Sequence, residues 1–182
     1  MFKNFIQQQI RTKITVRKLD TSASVKRPTP ILLLRTEPNN EWSLSMQNKL
    51  SQLGYFTVDA AIHLPEKKEG ESLLDTCYKE LTKATSDLSF FPPLLISHGD
   101  KAARISQKFV SNKPVSGLVM MDSDTVSDLT EFPLSEFEPR FPICMISKGP
   151  PPEFLDGWID HLPLKKGQEL KDLEQWMDQV GM

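Results

Sequence analysis

The strongest constraint on the fold is an alternation, from residue 28 onward, of short apolar runs with longer segments whose apolar residues recur at helical spacing. Runs of about four to eight apolar residues between turn residues are typical of buried strands. Spacing such as that of Trp42, Met46 and Leu50, closed by Gly54, is typical of a helix. The predicted strands are 31–35, 55–62, 90–97, 115–123, 141–147 and 157–163, and the predicted helices are 41–54, 72–84, 100–112 and 167–181.

This order of elements predicts βαβ units with right-handed crossovers, which place helices on both faces of a sheet. We therefore predict an α/β fold with a three-layer, doubly wound and mostly parallel sheet of reduced size. In such sheets the functional crevice lies beyond the carboxyl ends of the strands. The residues expected at that edge are Arg35, Thr36, His98 to Lys101, Asp122, Asp124, Lys148 and His161.

The charge of the chain is unevenly distributed. Residues 1–30 contain seven basic residues and one acid, whereas the whole chain has a net charge of −2. A basic, acid-poor start that can place Phe2, Ile6, Ile10, Ile14 and Leu19 near one helical face is typical of a mitochondrial transit peptide. We predict that residues 1–27 are such a peptide or a basic disordered tail, that 28–182 form the domain, and that the protein resides in the mitochondrial matrix.

Other classes of protein are disfavoured by composition. No apolar run approaches the ~20 residues of a membrane span. Cys77 and Cys144 lack metal-ligand spacing, so we expect buried thiols rather than a disulfide or a zinc site. The histidines are dispersed, and we expect neither metal nor cofactor. A nucleic-acid-binding function would depend on the basic start alone, because the remainder is acidic and has no stripe of alternating aromatic and basic residues.

The stretch LLISHGDKAARISQKFV (94–110) reads as a strand, a sharp turn and a helix. Together with PTPILLLRTEPNN (28–40) before it, and with FPICMIS (141–147) and DHLPLKKGQELKDLEQWM (160–177) after it, this stretch resembles the α/β-hydrolase family in the order of its elements. The resemblance covers about residues 28–182. It implies a nucleophile turn at 97–101, a histidine loop near His161, and no lid domain, because only about 18 residues separate strands 115–123 and 141–147.

The family motif G-x-S-x-G can be matched to this turn in two registers. In the first, Gly99 takes the nucleophile position after His98, so no nucleophile exists. In the second, Asp100 takes that position, as in the aspartate-dependent dehalogenases and epoxide hydrolases of the family, whose carboxylate forms an ester intermediate. Neither register makes Ser97 the nucleophile.

The remaining catalytic positions also depart from the family pattern. His161 in DHLP matches the position of the catalytic histidine. The catalytic acid is expected after strand 141–147, but only Glu153 stands there, after three prolines, so the acid would be Asp122 or Asp124. The family usually has His-Gly at the oxyanion loop. This chain has Arg35-Thr36-Glu37-Pro38, in which proline lacks an amide and Glu37 would repel developing negative charge.

Two functions from different classes follow. We expect a non-catalytic α/β-hydrolase-like pseudoenzyme that binds a protein, for example a basic partner in mitochondrial gene expression or assembly. Its docking segment would be the acidic stretch 122–140, which contains Leu129, Phe132, Leu134 and Phe137, unless these side chains only pack the loop onto the sheet. The alternative is a hydrolase of esters, epoxides or halides with Asp100 as nucleophile and His161 as base.

Overall fold

The computed structural model describes residues 13–64, 70–88 and 91–182. Within these residues a single seven-stranded sheet runs in the order β1-β3-β2-β4-β5-β6-β7. Every neighbouring pair is parallel except β1 and β3. The strands are β1 (Lys13–Leu19), β2 (Ile31–Arg35), β3 (Thr57–His63), β4 (Leu94–His98), β5 (Gly117–Met121), β6 (Ile143–Ser147) and β7 (Asp160–Pro163).

In the described residues, four α-helices cover the two faces of the sheet: α1 (Glu41–Gln52), α2 (Leu73–Thr85), α3 (Asp100–Val110) and α4 (Glu169–Val180), with a 3-10 turn at Glu153–Leu155. Successive residues of a strand point to opposite faces. Accordingly, Leu32 and Leu34 pack with α2 and α3, whereas Ile31 and Leu33 pack with α1 and α4. The predicted three-layer, mostly parallel architecture is therefore confirmed.

The first strand lies within the range 1–27 that is predicted to be a transit peptide or basic tail. Residues 13–19 pair antiparallel with β3 along their whole length, so this part of the range belongs to the sheet. Ile14 and Val16 pack against the core on the side of α2 and α3. In KITVRKL the apolar residues Ile14 and Val16 alternate with polar ones, as in a strand. The three basic residues of the same stretch favoured the prediction of a transit peptide or tail instead. Phe2, Ile6 and Ile10 lie outside the described residues.

Both cysteines are buried and free, as predicted. Cys77 in α2 and Cys144 in β6 belong to the cores on opposite faces of the sheet, which separates them. Burial raises the pKa of each thiol to about 12, so neither is ionised near neutral pH. No helix among the described residues is long and apolar enough to cross a membrane.

The acidic segment between β5 and β6 forms no helix or strand. Phe132 is 1% exposed, and Leu129 and Phe137 pack against the core, where Phe137 stacks on Phe141 and meets Phe154 edge-on. Of the four side chains proposed as a docking face, Leu134 is the one that is exposed. The other three hold the loop on the sheet.

Candidate functional site

The sharp turn after β4 has glycine at its apex. β4 ends at His98, α3 begins at Asp100, and Gly99 between them has φ +91° and ψ 162°. This backbone conformation strains any residue with a Cβ. Gly99 is therefore the residue at which the chain turns from β4 into α3.

The space above Gly99 is filled by two other side chains. A Cβ placed on Gly99 would lie 3.2 Å from Ser123 Oγ and 3.4 Å from Glu37 Oε1. These atoms are themselves joined, because the Ser123 hydroxyl donates a hydrogen bond of 2.8 Å to Glu37. The space over the apex of the turn is thus occupied by a carboxylate–hydroxyl pair.

Ser97 points into the molecule and not into the crevice. It is fully buried; its hydroxyl donates to the Val119 carbonyl at 3.4 Å and lies 3.4 Å from Ser106 Oγ, which donates its own proton to the Ala103 carbonyl at 2.7 Å. Ser97 therefore links β4, β5 and α3 and has no access to a substrate.

His98 stacks on Trp42 of α1. The ring centroids are 4.4 Å apart and the planes are inclined by 10°. Burial lowers the pKa of His98 below its usual value of 6.5, although the carboxylates of Glu37 and Glu169 act in the opposite direction. The imidazole is therefore mainly neutral at pH 7 and serves as a flat surface against the indole.

A buried ion network holds the loop after β2. Arg35 Nε and Nη2 donate to the two carboxylate oxygens of Asp59 at 3.1 and 3.2 Å. Arg35 Nη1 donates to the Glu37 carbonyl at 2.7 Å, and Arg17 of β1 also pairs with Asp59 at 3.2 Å. Charge-assisted bonds of this kind are strong and directional. The network fixes the position of Glu37 and joins β1 to the crevice.

The structure does not bring Asp100 and His161 together. Asp100 is the first residue of α3, whereas exposed His161 lies on β7, where its Nε2 is 2.9 Å from Ser147 Oγ. Within the described part of the chain no hydrogen bond or ion pair joins the two side chains. A nucleophile and its base need such contact, directly or through one water.

Asp122 and Asp124 have structural partners. Asp122 Oδ2 accepts the backbone amide of Lys148 at 2.8 Å and so ties the end of β5 to the end of β6. Exposed Asp124 lies 3.9 Å from Lys148 Nζ. Neither orients a histidine in the part of the chain that the structure describes. Among these residues no cluster of three or more histidine, cysteine or acidic side chains is placed to hold a metal.

Two cavities flank the turn, and Asp122 borders both. The crevice cavity, of about 520 Å³, lies over His98 and Trp42 between the starts of α1 and α4. Its charged lining residues are Glu37, Glu41, Asp122, Asp124, Glu169, Lys148 and Lys166. Five carboxylates against two ammonium groups give this cavity a negative field. The second, of about 320 Å³, lies against α3 beside Asp100. His161 lines neither.

Sequence reasoning missed Ser123, Trp42 and the Arg17–Asp59 pair. Ser123 and Trp42 carried no local signal, because a serine after a strand and a tryptophan on a helix are ordinary features. Asp59 did carry one: a lone acid within the apolar run 55–62 must be paired if it is buried.

Comparison with solved structures shows the class of fold. No protein-family model matches the sequence, and no curated protein is significantly similar to it. An α/β-hydrolase enzyme, MGS-MChE2, from a sediment metagenome of the Mar Chica lagoon in Morocco, superposes with a TM-score of 0.66 at 14% identity, over 94% of this chain and 98% of that one.

Two further similarities agree with the first. Esterase PE8 gives a TM-score of 0.58 at 11% identity, over 93% of this chain and 100% of that one. The epoxide hydrolase of Bacillus megaterium gives 0.54 at 14% identity, over 91% and 96%. The protein therefore has the α/β-hydrolase fold, as the order of its elements implied. Identities this low indicate the fold and leave activity to be argued from the site.

Proposed function

We propose that this protein is a non-catalytic member of the α/β-hydrolase fold that binds a basic protein partner at the carboxyl edge of its sheet. The observation that carries the proposal is glycine at the apex of the nucleophile turn, covered by the Glu37–Ser123 hydrogen bond.

The chemistry of acyl transfer argues against catalysis at this apex. Gly99 offers no attacking atom, and a carboxylate from Glu37 stands against it. An oxyanion needs preorganised donors, and a fixed negative charge there raises the barrier instead of lowering it. Without a nucleophile, only binding and residual oxyanion effects remain.

The charge of the crevice supports a basic partner. Its lining has a net charge of −3, and two of its carboxylates, Glu41 and Glu169, belong to the first turns of α1 and α4. Complementary charge steers association and sets partner choice. We extend the proposal to a mitochondrial location and a role in assembly or gene expression, which the basic start of the sequence supports.

Turnover assays test the non-catalytic part. The full chain is incubated with p-nitrophenyl esters, styrene oxide and haloalkanes, with Asp100→Asn and His161→Asn beside it. We expect no turnover above buffer for any of the three proteins. Turnover by the native chain that both substitutions abolish would support the hydrolase hypothesis and refute ours.

Binding of a fluorescent lysine- and arginine-rich peptide, followed by anisotropy, tests the partner class. The double variant Glu41→Lys/Glu169→Lys should weaken binding about tenfold or more at low salt, and added salt should weaken binding to the native chain. The matched control is Asp87→Lys/Asp178→Lys, which makes the same change of charge. Asp87 lies just beyond the carboxyl end of α2, and Asp178 lies near the carboxyl end of α4. Equal loss in both double variants would show that net charge, and not the crevice, attracts the peptide.

A further inference from the structure

The crevice cavity has a partly apolar neighbour, which the attraction of a basic partner alone does not explain. This second cavity, of about 320 Å³, lies on the face of the sheet that α3 covers. Leu129, Leu134 and Met145 line it, and each of the three side chains retains accessible surface. Leu134 is 39% exposed. The second cavity therefore presents aliphatic surface beside a charged crevice, and it has room for an aliphatic side chain of a partner.

The two cavities are separated by a narrow ridge at the carboxyl edge of the sheet. After β4, His98 lines the crevice cavity and Asp100 lines the second cavity. After β6, Lys148 lines the crevice cavity and Pro150 lines the second, whereas Asp122, after β5, lines both. Two residues of chain span at most ~7 Å. The ridge is therefore narrow enough for one segment of a partner to reach both cavities.

The ridge is open at Gly149, and the charges on both sides of it favour the same kind of partner. A Cβ placed on Gly149 would meet no atom of the described residues within 4 Å. The charged lining of the second cavity consists of three carboxylates and one guanidinium, those of Asp100, Asp122, Glu153 and Arg104. Like the crevice cavity, it therefore has an excess of negative charge. A basic segment meets complementary charge on either side of the ridge.

We propose that the basic partner of the crevice also inserts a large aliphatic side chain, such as leucine, into the second cavity. This inference rests on the proposed function, because the cationic side chains of the same segment occupy the crevice. The segment crosses the ridge at Gly149, and its aliphatic side chain packs against Leu134 and Met145. Methionine adapts its shape to the side chains that it contacts. Since an extended chain rises about 3.3 Å per residue, the aliphatic residue lies about two to four residues from the cationic ones.

Two fluorescein-labelled peptides test the proposal on the full chain. One is Leu-Ser-Ser-Arg-Lys-Arg-Ser-Ser-Leu, which has a leucine on either side of its basic centre and so allows both chain directions. The other has alanine in place of both leucines. In anisotropy measurements we expect the leucine peptide to bind about tenfold more tightly or better, because it alone buries a large aliphatic side chain. With methionine methyl groups labelled with ¹³C, the leucine peptide should shift the magnetic resonance signal of Met145, and the alanine peptide should leave it in place.

A matched pair of leucine variants separates the second cavity from unspecific effects. Leu134→Ser should weaken binding of the leucine peptide about threefold or more and leave binding of the alanine peptide unchanged. Leu44→Ser is the control, because Leu44 on α1 is also 39% exposed but lines neither cavity. Both peptides should bind it as they bind the native chain.

The outcomes distinguish this inference from the proposed function. Equal affinities of the two peptides, both weakened by Glu41→Lys/Glu169→Lys, would overturn the inference and support the proposed function. An effect of Leu134→Ser that is the same for both peptides would also overturn the inference. If neither peptide binds the native chain, the proposed function is refuted, and the inference with it.

Discussion

Ser123 Oγ donates a 2.8 Å hydrogen bond to Glu37 Oε1 across 86 residues of sequence, and the pair lies directly over Gly99. The bond joins the loop after β2 to the loop after β5 and covers the turn between β4 and α3. The position of Glu37 is in turn set by Arg35, whose guanidinium holds the Glu37 carbonyl.

Restoring serine at the apex should cost stability and yield no esterase activity. Gly99→Ser forces a Cβ into a φ of +91°, at 3.2 Å from Ser123 Oγ. We expect a loss of about 1–3 kcal/mol in the free energy of unfolding, measured by urea denaturation. Gly149→Ser is the control, because its Cβ would meet no atom within 4 Å. A Gly99→Ser variant as stable as Gly149→Ser would show that the apex tolerates a side chain.

Breaking the buried ion network should be more costly. Asp59→Ala leaves Arg35 buried without its carboxylate, and we expect a loss of about 3–5 kcal/mol in unfolding free energy. Glu138→Gln removes an exposed partner of Arg140 and should leave the urea midpoint unchanged. Similar midpoints for the two variants would mean that the network adds little.

Removal of β1 should destabilise the domain. A chain that begins at Pro28 loses the packing of Ile14 and Val16 and the Arg17–Asp59 pair, whereas a chain that begins at Lys13 keeps them. We expect the shorter chain to be less stable by about 2 kcal/mol or more in urea denaturation. If the protein is processed on import, N-terminal sequencing of the mature form should show cleavage before Lys13. A mature form beginning near residue 28 would contradict the role of β1.

Two buried glutamines should respond oppositely to replacement by leucine. Gln47 accepts from Arg17 Nε at 2.7 Å and donates to the Arg17 carbonyl at 3.0 Å, so Gln47→Leu breaks satisfied bonds and should destabilise. Gln107→Leu removes an orphan carbonyl and should stabilise the protein by about 1 kcal/mol. Thermal and urea unfolding measure both, and destabilisation by Gln107→Leu would show that its carbonyl is already satisfied.

Acidification should destabilise the protein partly through His98. Because burial lowers the folded-state pKa of His98 below its usual value of 6.5, the unfolded chain binds the proton more tightly. The contribution of neutral His98 to the free energy of unfolding is fully present above about pH 6.5, and it is lost as pH falls through the folded-state pKa. His98→Phe should therefore reduce the fall in melting temperature between about pH 7 and pH 5. An unchanged pH profile would assign that fall to other groups.

The order of the main elements was predictable because each is encoded locally. The apolar run Ile31–Leu34 alternates between two faces, and α3 brings Ile105 and Phe109 to one side, whatever the rest of the chain does. β1 was not predicted, because the alternation of Ile14 and Val16 is too short to indicate a strand among basic residues that are typical of a transit peptide. For the acidic loop, the sequence left open whether its apolar side chains face a partner or pack onto the sheet, because sequence alone does not show that Phe132 has a core to enter.

The sequence by itself determined the alternation of strands and helices, the turn between β4 and α3, and the absence of serine from its tip, because strand and helix periodicity and turn chemistry act over a few residues. Tertiary structure alone decided that Gly99 is the apex, that Glu37 and Ser123 close over it, and that Gln107 is left unsatisfied in a cavity wall. Each of these facts depends on side chains from distant loops meeting at one edge of the sheet. That meeting is set by packing and strand register, which no local pattern specifies.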